Sequence, residues 1–412
     1  MTVTQPPLRF LFVAADKYPP FRPDVEILFG QEFRRRGHQI EWVLQASDSA
    51  LESGDIEWRG FRVSLAATEA GRGRFARVKK HLRALANEIR AARRLGRREF
   101  DFVQVKDKFL SAFLLLIVAR FRNLPFFYWL SFPYPEASFV RAQADNARYP
   151  VFYRIRGFVF AFLLYRVICR FATHVFVQSE EMKRSLGTHG VGSDRMTAVP
   201  MGVDLSQFEP VANTPAPRSS SIVYLGSLGR ERHLEFLVDA FARVRKQVGD
   251  ARLILIGEGD EREDRPNLER YVAESGLSDD VEFTGFMSRT AALEIVGKAA
   301  VGASPIRPTP MYDVASPTKI LEYMAAGVPA VANDQPDQRD VLAESGGGLC
   351  TPYDVEAFAD ALITVLNDPA RAAEMGRRGR AYVGERRSYT YLADRVEHRY
   401  RELLTPARDA VA

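Results

Sequence analysis

Short apolar runs recur along the chain and alternate with segments in which apolar residues return every three or four positions. The runs at residues 8–15 and 39–44 flank a segment of helical period at 24–36, which ends at Gly37. This strand–loop–helix–strand succession predicts a parallel β-sheet. Further strands are predicted at residues 100–105, 125–130, 174–178 and 197–200, and a second series at 222–225, 253–256, 281–284, 300–304, 330–332 and 349–352.

A polar segment at residues 211–221, rich in proline and serine, separates the two series of strands and predicts an interdomain linker. We therefore predict an N-terminal Rossmann-like domain at residues 1–208 and a second Rossmann-like domain at 209–386, followed by a final helix. The predicted fold class is α/β, with two doubly wound domains facing across a cleft. In such sheets ligands bind beyond the carboxyl ends of the strands, so the loops there are the candidate sites.

Composition adds few constraints. The 412 residues are 46% hydrophobic and carry a net charge of +5, which is typical of a globular chain of more than one domain. The two cysteines, Cys169 and Cys350, lie far apart in apolar surroundings, so we expect neither a disulfide nor a metal site, and a reducing cytoplasm. No run resembles a signal peptide or reaches the length of a membrane span.

The segment at residues 72–98 concentrates basic residues against only two nearby glutamates, Glu88 and Glu99. Leu82, Leu85 and Ile89 add apolar positions at helical spacing. A solvated helix face and contact with anionic lipid headgroups both fit this pattern. Nucleic acid is not expected as a partner, because no nucleic-acid-binding motif accompanies the charge.

The segment at residues 149–171 interleaves aromatic residues with arginine. On a helix, Arg156, Arg166 and Arg170 fall within roughly 80° of one another, and the remaining face is apolar. Such a helix fits the membrane interface, and it fits equally a core helix with one wet edge.

The stretch at residues 316–329 predicts a loop that enters a helix. Ser316 suits the N-cap and Pro317 the first helical position, with Thr318 and Lys319 following in the first turn. Free N–H groups and a lysine at a helix start favour a phosphate, and Glu322 one turn later suits a sugar hydroxyl. Together they indicate a nucleotide-sugar, although an ordinary capped helix gives the same pattern.

Loops after other strands supply further candidates. The loop after residues 222–225 has small residues that allow close approach of a phosphate and arginines that match its geometry: Gly226, Ser227, Arg230 and Arg232. In the first domain, Arg22 and Asp24 follow the first strand. Ser131 opens an aromatic, proline-broken loop at 131–136, which is either a binding loop or a rigid turn.

Several of these segments together resemble glycosyltransferase family 4, whose members have the GT-B fold. The resemblance covers nearly the whole chain and rests above all on residues 316–331. Its other motifs are Tyr18-Pro19-Pro20, Arg36-Gly37-His38, residues 177–182, Pro200-Met201-Gly202-Val203-Asp204, residues 253–259 and residues 281–285.

The resemblance implies a retaining hexosyltransferase that uses a nucleotide-sugar and needs no metal or other cofactor. It implies that Glu322 binds the nucleotide ribose, that Arg232 meets the diphosphate, and that Lys319 contributes to the same site. The sugar and distal phosphate would contact the backbone of residues 316–319, and Gly285 and Phe286 would flank the base. The helix at 387–412 would pack back on the first domain, where Arg22, Asp24 and Ser131 lie on the acceptor side.

The chain departs from the family pattern at four places. Val314, with Asp313 adjacent, replaces a glutamate, and Ser227 replaces an arginine that Arg230 lies near. Residues 22–24 replace paired glycines, and no histidine stands near residues 130–131.

Three functions are compatible with the sequence. The first is a transferase acting on a lipid-linked or glycan acceptor in cell-surface polysaccharide assembly, peripheral on the cytoplasmic face of the membrane. The second is a nucleotide-sugar epimerase of the same architecture, and the third is an inactive membrane-associated scaffold. The sequence does not distinguish GDP-mannose from UDP-glucose as the donor.

Overall fold

The computed structural model describes residues 6–68, 74–143, 149–209 and 220–409; side chains at 74–78, 81 and 406–409 are not described. The chain divides into two compact units, each of which is described by itself. Unit 1 comprises Met1–Pro200 and Leu392–Ala412, and unit 2 comprises Met201–Tyr391. The predicted linker at 211–221 lies largely outside the described residues.

Unit 1 contains an eight-stranded sheet in the order β3-β4-β2-β1-β5-β6-β7-β8. All neighbouring strands are parallel except β3 and β4, which form an antiparallel hairpin. The strands are β1 (Arg9–Tyr18), β2 (Gln39–Ala46), β3 (Gly54–Trp58), β4 (Phe61–Ala66), β5 (Phe102–Lys106), β6 (Phe126–Leu130), β7 (His174–Val177) and β8 (Met196–Ala198).

Helices cover this sheet and bury its apolar runs. They are Asp24–Phe33 and Phe162–Ile168, both π-helical, Arg74–Arg93, Phe109–Phe121, Tyr134–Gln143, Pro150–Ala161, Cys169–Phe171, Glu180–Thr188 and the 3₁₀ turn Ser193–Arg195. Ser179 caps its helix as expected from its position, since its hydroxyl accepts a hydrogen bond from the Met182 N–H at 2.9 Å.

The C-terminal helix, Tyr389–Asp409, belongs to unit 1 from Leu392 onward, which confirms the predicted return of the chain. The Tyr400 ring stacks against Phe127 at 5.4 Å in the aromatic core, and its hydroxyl donates to Gln104. Glu397 lies 3.3 Å from both Arg36 and His38, so the Arg36-Gly37-His38 motif anchors this helix.

Unit 2 contains a six-stranded parallel sheet in the order β11-β10-β9-β12-β13-β14. Its strands are β9 (Ser221–Leu225), β10 (Arg252–Ile256), β11 (Val281–Gly285), β12 (Val301–Ser304), β13 (Ala330–Asn333) and β14 (Gly348–Thr351). The helices and turns around it are Leu205–Gln207, Arg230–Arg232, Glu235–Gln247, Asp264–Glu274, Arg289–Lys298, Pro310–Asp313, Lys319–Ala325, Pro336–Ser345, Val355–Asn367, Pro369–Tyr382 and Val383–Arg387.

The division between the units falls at residue 200 rather than at the predicted 208. Val203 and Phe208 are buried in an apolar cluster of unit 2, and the Val203 N–H donates to the Arg387 carbonyl at 2.9 Å. Because these apolar side chains are buried in the core of unit 2, the segment after Pro200 belongs to that unit. No helix in the described ranges is both long and apolar enough to cross a membrane.

Candidate functional site

The strand order of unit 2 reverses between β9 and β12, because the chain builds outward from β9 in one direction and from β12 in the other. At such a switch point the loops after the two central strands part and leave a crevice at their carboxyl ends. Gly226 follows β9 directly, and the segment from Pro305 onward follows β12. The predicted donor residues of the first loop therefore lie at the crevice.

Gly226 lets the Lys319 side chain approach the end of β9. The glycine has φ +150°, and a Cβ added there would lie 2.8 Å from Lys319 Cε and 3.2 Å from its Nζ. Lys319 Nζ also lies 5.3 Å from the centre of the Tyr224 ring, a cation–π distance. The structure thus brings together Gly226 and Lys319, which are 93 positions apart in sequence.

Arg232 adds a second positive charge to this place. Its guanidinium carbon lies 5.7 Å from the Tyr312 ring centre. The pKa of Lys319 is lowered to about 8, chiefly by burial and also by the charge of Arg232, with Glu322 opposing the shift. Two neighbouring cations that disfavour each other are both stabilised when an anion binds between them.

The loops after β9 and β12 are also joined at their tips. His233 ends the 3₁₀ turn Arg230–Arg232 with φ +49°, and its Nε2 lies 2.6 Å from Nη1 of Arg307. Arg307, which the sequence prediction did not assign to the site, therefore adds a cation to the same loop pair. Arg230 is exposed on this turn.

The prediction that Ser316 caps the next helix is wrong. The helix is Lys319–Ala325, and its N-cap residue Thr318 makes no side-chain capping bond. The Ser316 hydroxyl instead donates to Asp337 at 2.7 Å and accepts from the Met201 N–H at 3.0 Å. Tertiary partners therefore hold Ser316, and Pro317 precedes the helix rather than starting it.

Buried polar groups fix the loop that leads to this helix. The Gln335 amide donates to the carbonyls of Tyr312 (2.9 Å) and Ala315 (3.0 Å), and its oxygen accepts from the Gln338 N–H. Asp337, which holds Ser316, pairs with the buried Arg387 at 2.7 Å. These contacts within the protein fix the conformation of the loop backbone that precedes Lys319.

Glu322 is nearly buried one turn into the helix and faces Arg289. The Arg289 Nη2 donates to its Oε1 at 3.0 Å. One oxygen of the carboxylate is thereby oriented, as a group that accepts ligand hydroxyls must be. Gly285 ends β11 with φ +71°, and Phe286 after it is 88% exposed.

Unit 1 has its own switch point, between β1 and β5. Lys106, the last residue of β5, is fully buried and lies 3.2 Å from Asp16 of β1 and 2.7 Å from Asp24. A buried ammonium requires such partners, because its desolvation costs several kcal/mol. The predicted residue Asp24 therefore belongs to a buried ion cluster.

Arg22 and Ser131, the other predicted acceptor-side residues, join this cluster through Asp107. Asp107 has φ +57° and accepts from the Ser131 N–H at 2.9 Å and from its hydroxyl. Burial raises the pKa of Asp107, against the opposing effects of Lys106 and Ser131. Arg22 Nη1 lies 3.8 Å from Asp107, and Arg22 Nε lies 3.9 Å from Asp16.

The sequence prediction missed Asp16, Lys106 and Asp107. A signal was present, because charged residues stand at the carboxyl ends of two apolar strands, in Asp16-Lys17 and in Lys106-Asp107-Lys108. Knowing that these strands are neighbours at a switch point would have identified them. The predicted loop at 131–136 becomes helical from Tyr134.

No cluster of three or more His, Cys, Asp or Glu side chains in the described ranges has the arrangement of a metal site. The carboxylates at the β1/β5 switch point, those of Asp16, Asp24 and Asp107, face Lys106, Arg22 and Ser131 instead. That the reaction needs no metal stays a prediction.

Comparison with known proteins supports the fold and the family. The model described as Glycosyltransferase Family 4 matches residues 27–207, and the model described as Glycosyl transferases group 1 matches residues 219–368. The sucrose-phosphate synthase of Thermosynechococcus elongatus superimposes with a TM-score of 0.73 at 18% identity, over 97% of this chain and 100% of that one. The Anabaena protein HepE in complex with UDP gives 0.69 at 16%, over 96% and 100%.

Curated relatives match over part of their length. A GDP-mannose-dependent alpha-(1-6)-phosphatidylinositol dimannoside mannosyltransferase of Mycobacterium tuberculosis is 31% identical over 201 residues, 47% of this chain and 49% of that protein. An alpha-D-kanosaminyltransferase of Streptomyces kanamyceticus is 26% identical over 183 residues, 44% of this chain and 45% of that protein. The chain thus spans about half the length of the curated relatives it matches. Both halves of the chain thus match glycosyltransferase models in sequence order, residues 27–207 that of family 4 and residues 219–368 that of group 1, and the chain is a glycosyltransferase with the GT-B fold.

Proposed function

We propose that the protein transfers a hexose of the mannose or glucose type from a nucleotide-diphosphate-sugar to a lipid-linked or glycan acceptor, with retention of configuration. One observation carries the proposal. Lys319, at the start of a helix, and Arg232, on the turn after β9, lie near enough at the β9/β12 switch point of unit 2 to interact electrostatically, and neither forms an ion pair with another described residue. Uncompensated cations at the carboxyl ends of parallel strands are what a diphosphate requires.

The chemistry needs this charge because the leaving group is a nucleoside diphosphate. As the bond between the sugar C1 and the phosphate oxygen breaks, negative charge builds on the phosphate. Fixed cations that are already in place stabilise that charge without reorganising. In the proposed reaction Arg232 and Lys319 do this without a metal ion, and the N–H groups at the start of Lys319–Ala325 add to it.

The bond changes then balance without a dedicated base on the protein. The acceptor oxygen forms the new bond to C1 on the face that the phosphate leaves. The proton of the acceptor hydroxyl moves to the departing phosphate oxygen. A histidine near residues 130–131 is not required for this course, which fits its absence from the sequence.

Glu322 and the residues after β11 would bind the nucleoside. The oriented carboxylate of Glu322 would accept the ribose hydroxyls, and Gly285 and Phe286 would flank the base. The relative from Mycobacterium tuberculosis is named as GDP-mannose-dependent, and HepE was solved with UDP. GDP-mannose and UDP-glucose are therefore the first donors to test.

The acceptor would be membrane-bound, with the protein held at the cytoplasmic face as part of cell-surface polysaccharide assembly. The helix Pro150–Ala161 supports this part of the proposal. Its outer face exposes apolar side chains at helical spacing, with Ile155 58% and Phe158 63% exposed, and no acidic residue occurs between 149 and 171. Arg154 is exposed on the same helix. An apolar face with interleaved arginines suits an anionic membrane surface.

The basic helix Arg74–Arg93 supports the same contact. Its polar residues Asn87 and Glu88 are buried, with Glu88 paired to Lys108, whereas Leu82 and Ile89 are exposed. The exposed surface of this helix therefore combines apolar side chains with exposed arginines such as Arg83 and Arg90. An apolar cavity of about 330 Å³ opens between this helix and Phe109–Phe121.

The test of the catalytic proposal is a donor screen. The purified chain is incubated with GDP-mannose, UDP-glucose and other nucleotide-sugars, with and without EDTA, and thermal stability and nucleotide release are measured. One donor should stabilise the protein and be consumed, with hexose transferred to extracted lipid, equally in EDTA. If no nucleotide-sugar stabilises the protein, the proposal fails. Release of an epimerised sugar nucleotide without acceptor would identify an epimerase, and binding without turnover a scaffold.

The membrane part is tested by flotation. Vesicles containing phosphatidylglycerol should carry the protein at low salt, and phosphatidylcholine vesicles should not. The double variant Ile155→Ser, Phe158→Ser should reduce flotation without lowering donor binding. Absence of flotation with anionic vesicles at low salt would refute this part alone.

A further inference from the structure

The cavity between the helices Arg74–Arg93 and Phe109–Phe121 has a volume of about 330 Å³ and an apolar wall. This volume is near the lower end of the range for ligand sites, about 300–1,000 Å³. It has room for roughly ten groups of the size of a methylene, at about 30 Å³ each. Both helices contribute partly or largely exposed side chains to the wall, so the cavity can be reached from the surface. Its apolar lining includes Leu85, Ile89, Ala92, Leu114, Leu115 and Val118.

The charged residues of the cavity divide it into a neutralised end and a cationic end. Glu88, which is 4% exposed, pairs with Lys108 just before the second helix. Arg93 and Arg122 lie further along the two helices, and both are exposed. Neither of these arginines forms an ion pair within the described part of the chain, and Glu88 is the only acidic residue among the described ones that line the cavity. The cationic end therefore has no acidic partner of its own.

A third arginine lies at the same end. Arg97 follows the first helix, and its Nε donates to the Asn123 carbonyl after the second helix at 2.7 Å. Because Glu88 and Lys108 join the two helices at one end and Arg97 and Asn123 join their continuations at the other, the helices run side by side in the same direction. The cavity thus leads along both helices toward a group of exposed arginines.

This combination selects an amphiphile with an anionic head and a slender apolar tail. An inorganic anion would leave the apolar wall unfilled, and a neutral hydrocarbon would leave the arginines without a partner. One turn of an α-helix, about 10 Å wide and 5.4 Å long, fills roughly 420 Å³ and exceeds the volume of the cavity. An acyl chain is a single file of methylene groups and fits.

The surface around the cavity indicates where the amphiphile comes from. Leu82 of the first helix is 60% exposed, and Ile117 and Phe121 of the second are 40% and 84% exposed. Apolar side chains interleaved with arginines suit the interface of an anionic bilayer. A lipid of that bilayer is therefore the source of the chain.

We propose that the cavity binds one acyl chain of an anionic phospholipid, with the headgroup phosphate accepting hydrogen bonds from Arg93 and Arg122. The chain leaves the bilayer and occupies a defined site, which differs from adsorption of a basic helix to a charged surface. The inference rests on the proposed membrane contact for the source of the lipid. The binding itself uses only residues of the two helices and no residue of the donor site.

The test is a calorimetric titration of the full chain with lysophosphatidylglycerols kept below their micelle concentrations. Their acyl chains are hexanoyl, octanoyl, decanoyl, dodecanoyl and myristoyl. One lipid should bind per protein molecule, with an affinity that rises about fourfold for each added methylene and levels off beyond roughly ten carbons, when the cavity is full. Lysophosphatidylcholine of the same chain length should bind about tenfold or more weakly, since its headgroup has no net charge. Glycerol phosphate, which has no chain, should not bind measurably.

Two variants and two matched controls connect the binding to the cavity. Ala92→Leu fills part of the cavity and should weaken the decanoyl lipid about 10- to 100-fold, whereas Ala86→Leu makes the same change at an exposed position of the same helix and should not. The double variant Arg93→Gln, Arg122→Gln should weaken it about tenfold or more. Arg90→Gln removes an exposed arginine that does not line the cavity and should leave the affinity unchanged. The arginine variant keeps the test valid if Ala92→Leu fails to fold, because both of its positions are exposed.

Three results would overturn the inference. They are no binding of any monomeric lysophosphatidylglycerol, equal binding of lysophosphatidylcholine, and binding that neither variant weakens. Flotation of the same preparations separates this inference from the proposed function. A protein that floats with anionic vesicles but binds no monomeric lipid refutes the cavity site and leaves the membrane contact standing. The variant Ile155→Ser, Phe158→Ser should reduce flotation without changing the affinity for the monomeric lipid.

Discussion

Each unit has charged side chains at the switch point of its parallel sheet, but the partners of those charges differ between the two units. At the β9/β12 switch point of unit 2, Arg232 and Lys319 lie against aromatic rings rather than carboxylates. At the β1/β5 switch point of unit 1, Lys106 lies between Asp16 and Asp24. A ring orients a cation without neutralising it, whereas a carboxylate does both.

The difference shows what each site is prepared to bind. In unit 2 two positive charges lie near each other without a carboxylate partner, an arrangement that favours an anion. In unit 1 the ions are compensated internally, and what remains unsatisfied is hydrogen bonding at two carboxylate oxygens. The charges of the first cluster are therefore left without an acidic partner, whereas those of the second are paired within the protein.

The largest effect is expected from removing the cation that neutralises the buried carboxylates of unit 1. Lys106→Met leaves Asp16 and Asp24 buried without their common cation, and we expect the free energy of unfolding to fall by about 3–5 kcal/mol. Urea unfolding followed by tryptophan fluorescence measures this, because all three tryptophans, Trp42, Trp58 and Trp129, lie in unit 1.

The control is an exposed ion pair of the same unit. Arg62 lies 2.6 Å from Asp55, and both side chains are more than 40% exposed. Arg62→Met should cost about 1 kcal/mol or less. Equal losses for the two variants would show that the Lys106 cluster is an ordinary ion pair.

In unit 2 the removal of a cation should leave the stability of the fold almost unchanged but lower the rate of sugar transfer. Arg232→Ala deletes a cation that no carboxylate compensates, so we expect turnover to fall about 100- to 1000-fold with little change in Tm. Arg243→Ala, which removes an arginine of the same unit that pairs with Glu356 at 3.0 Å, is the matched control. Near-wild-type turnover of Arg232→Ala would exclude its proposed role.

How much of this was predictable from sequence differs between the fold and the sites. Apolar runs located most strands and the family motifs located the fold, because both are local signals. The β3–β4 hairpin was missed, since β3 is largely polar and its turn uses Arg59 with Gly60, both at positive φ. Cysteine or metal patterns offered no constraint.

The sites required knowledge of contacts between distant residues. Serine before proline is a common helix start, so the local sequence favoured Ser316 as the N-cap residue. The Ser316 hydroxyl instead bonds to Asp337 and to the Met201 N–H, so tertiary contacts override the local preference. Lys106 and Asp16 are 90 positions apart in sequence. The residues around each of them do not indicate that β1 and β5 are neighbouring strands.

A smaller effect is expected from a variant of Glu322, and it tests whether this residue contacts the nucleoside or the phosphates of the donor. Glu322→Gln should weaken binding of the nucleoside diphosphate released from the donor about 10- to 100-fold, because a charged acceptor of ribose hydroxyls is lost. Binding of inorganic pyrophosphate, which has no ribose, should change little. Calorimetry with both ligands measures this, and equal weakening of the two would place Glu322 at the phosphates instead. Arg289→Gln, which removes the group that orients Glu322, should give a smaller loss of the same kind.

The smallest expected effect is the pH dependence of donor binding, and it tests whether the charge of unit 2 is uncompensated. The pKa of Lys319 is lowered to about 8, chiefly by burial and also by Arg232. A bound diphosphate favours the protonated amine, so affinity is full well below the pKa of the free site and is lost as pH rises through it. Between about pH 7 and about pH 9 the donor affinity should fall about tenfold. Lys319→Gln should bind more weakly at pH 7 and lose this pH dependence, measured by calorimetry with the same nucleotide-sugar. An unchanged slope in that variant would mean that another group titrates and that Lys319 does not cause the pH dependence.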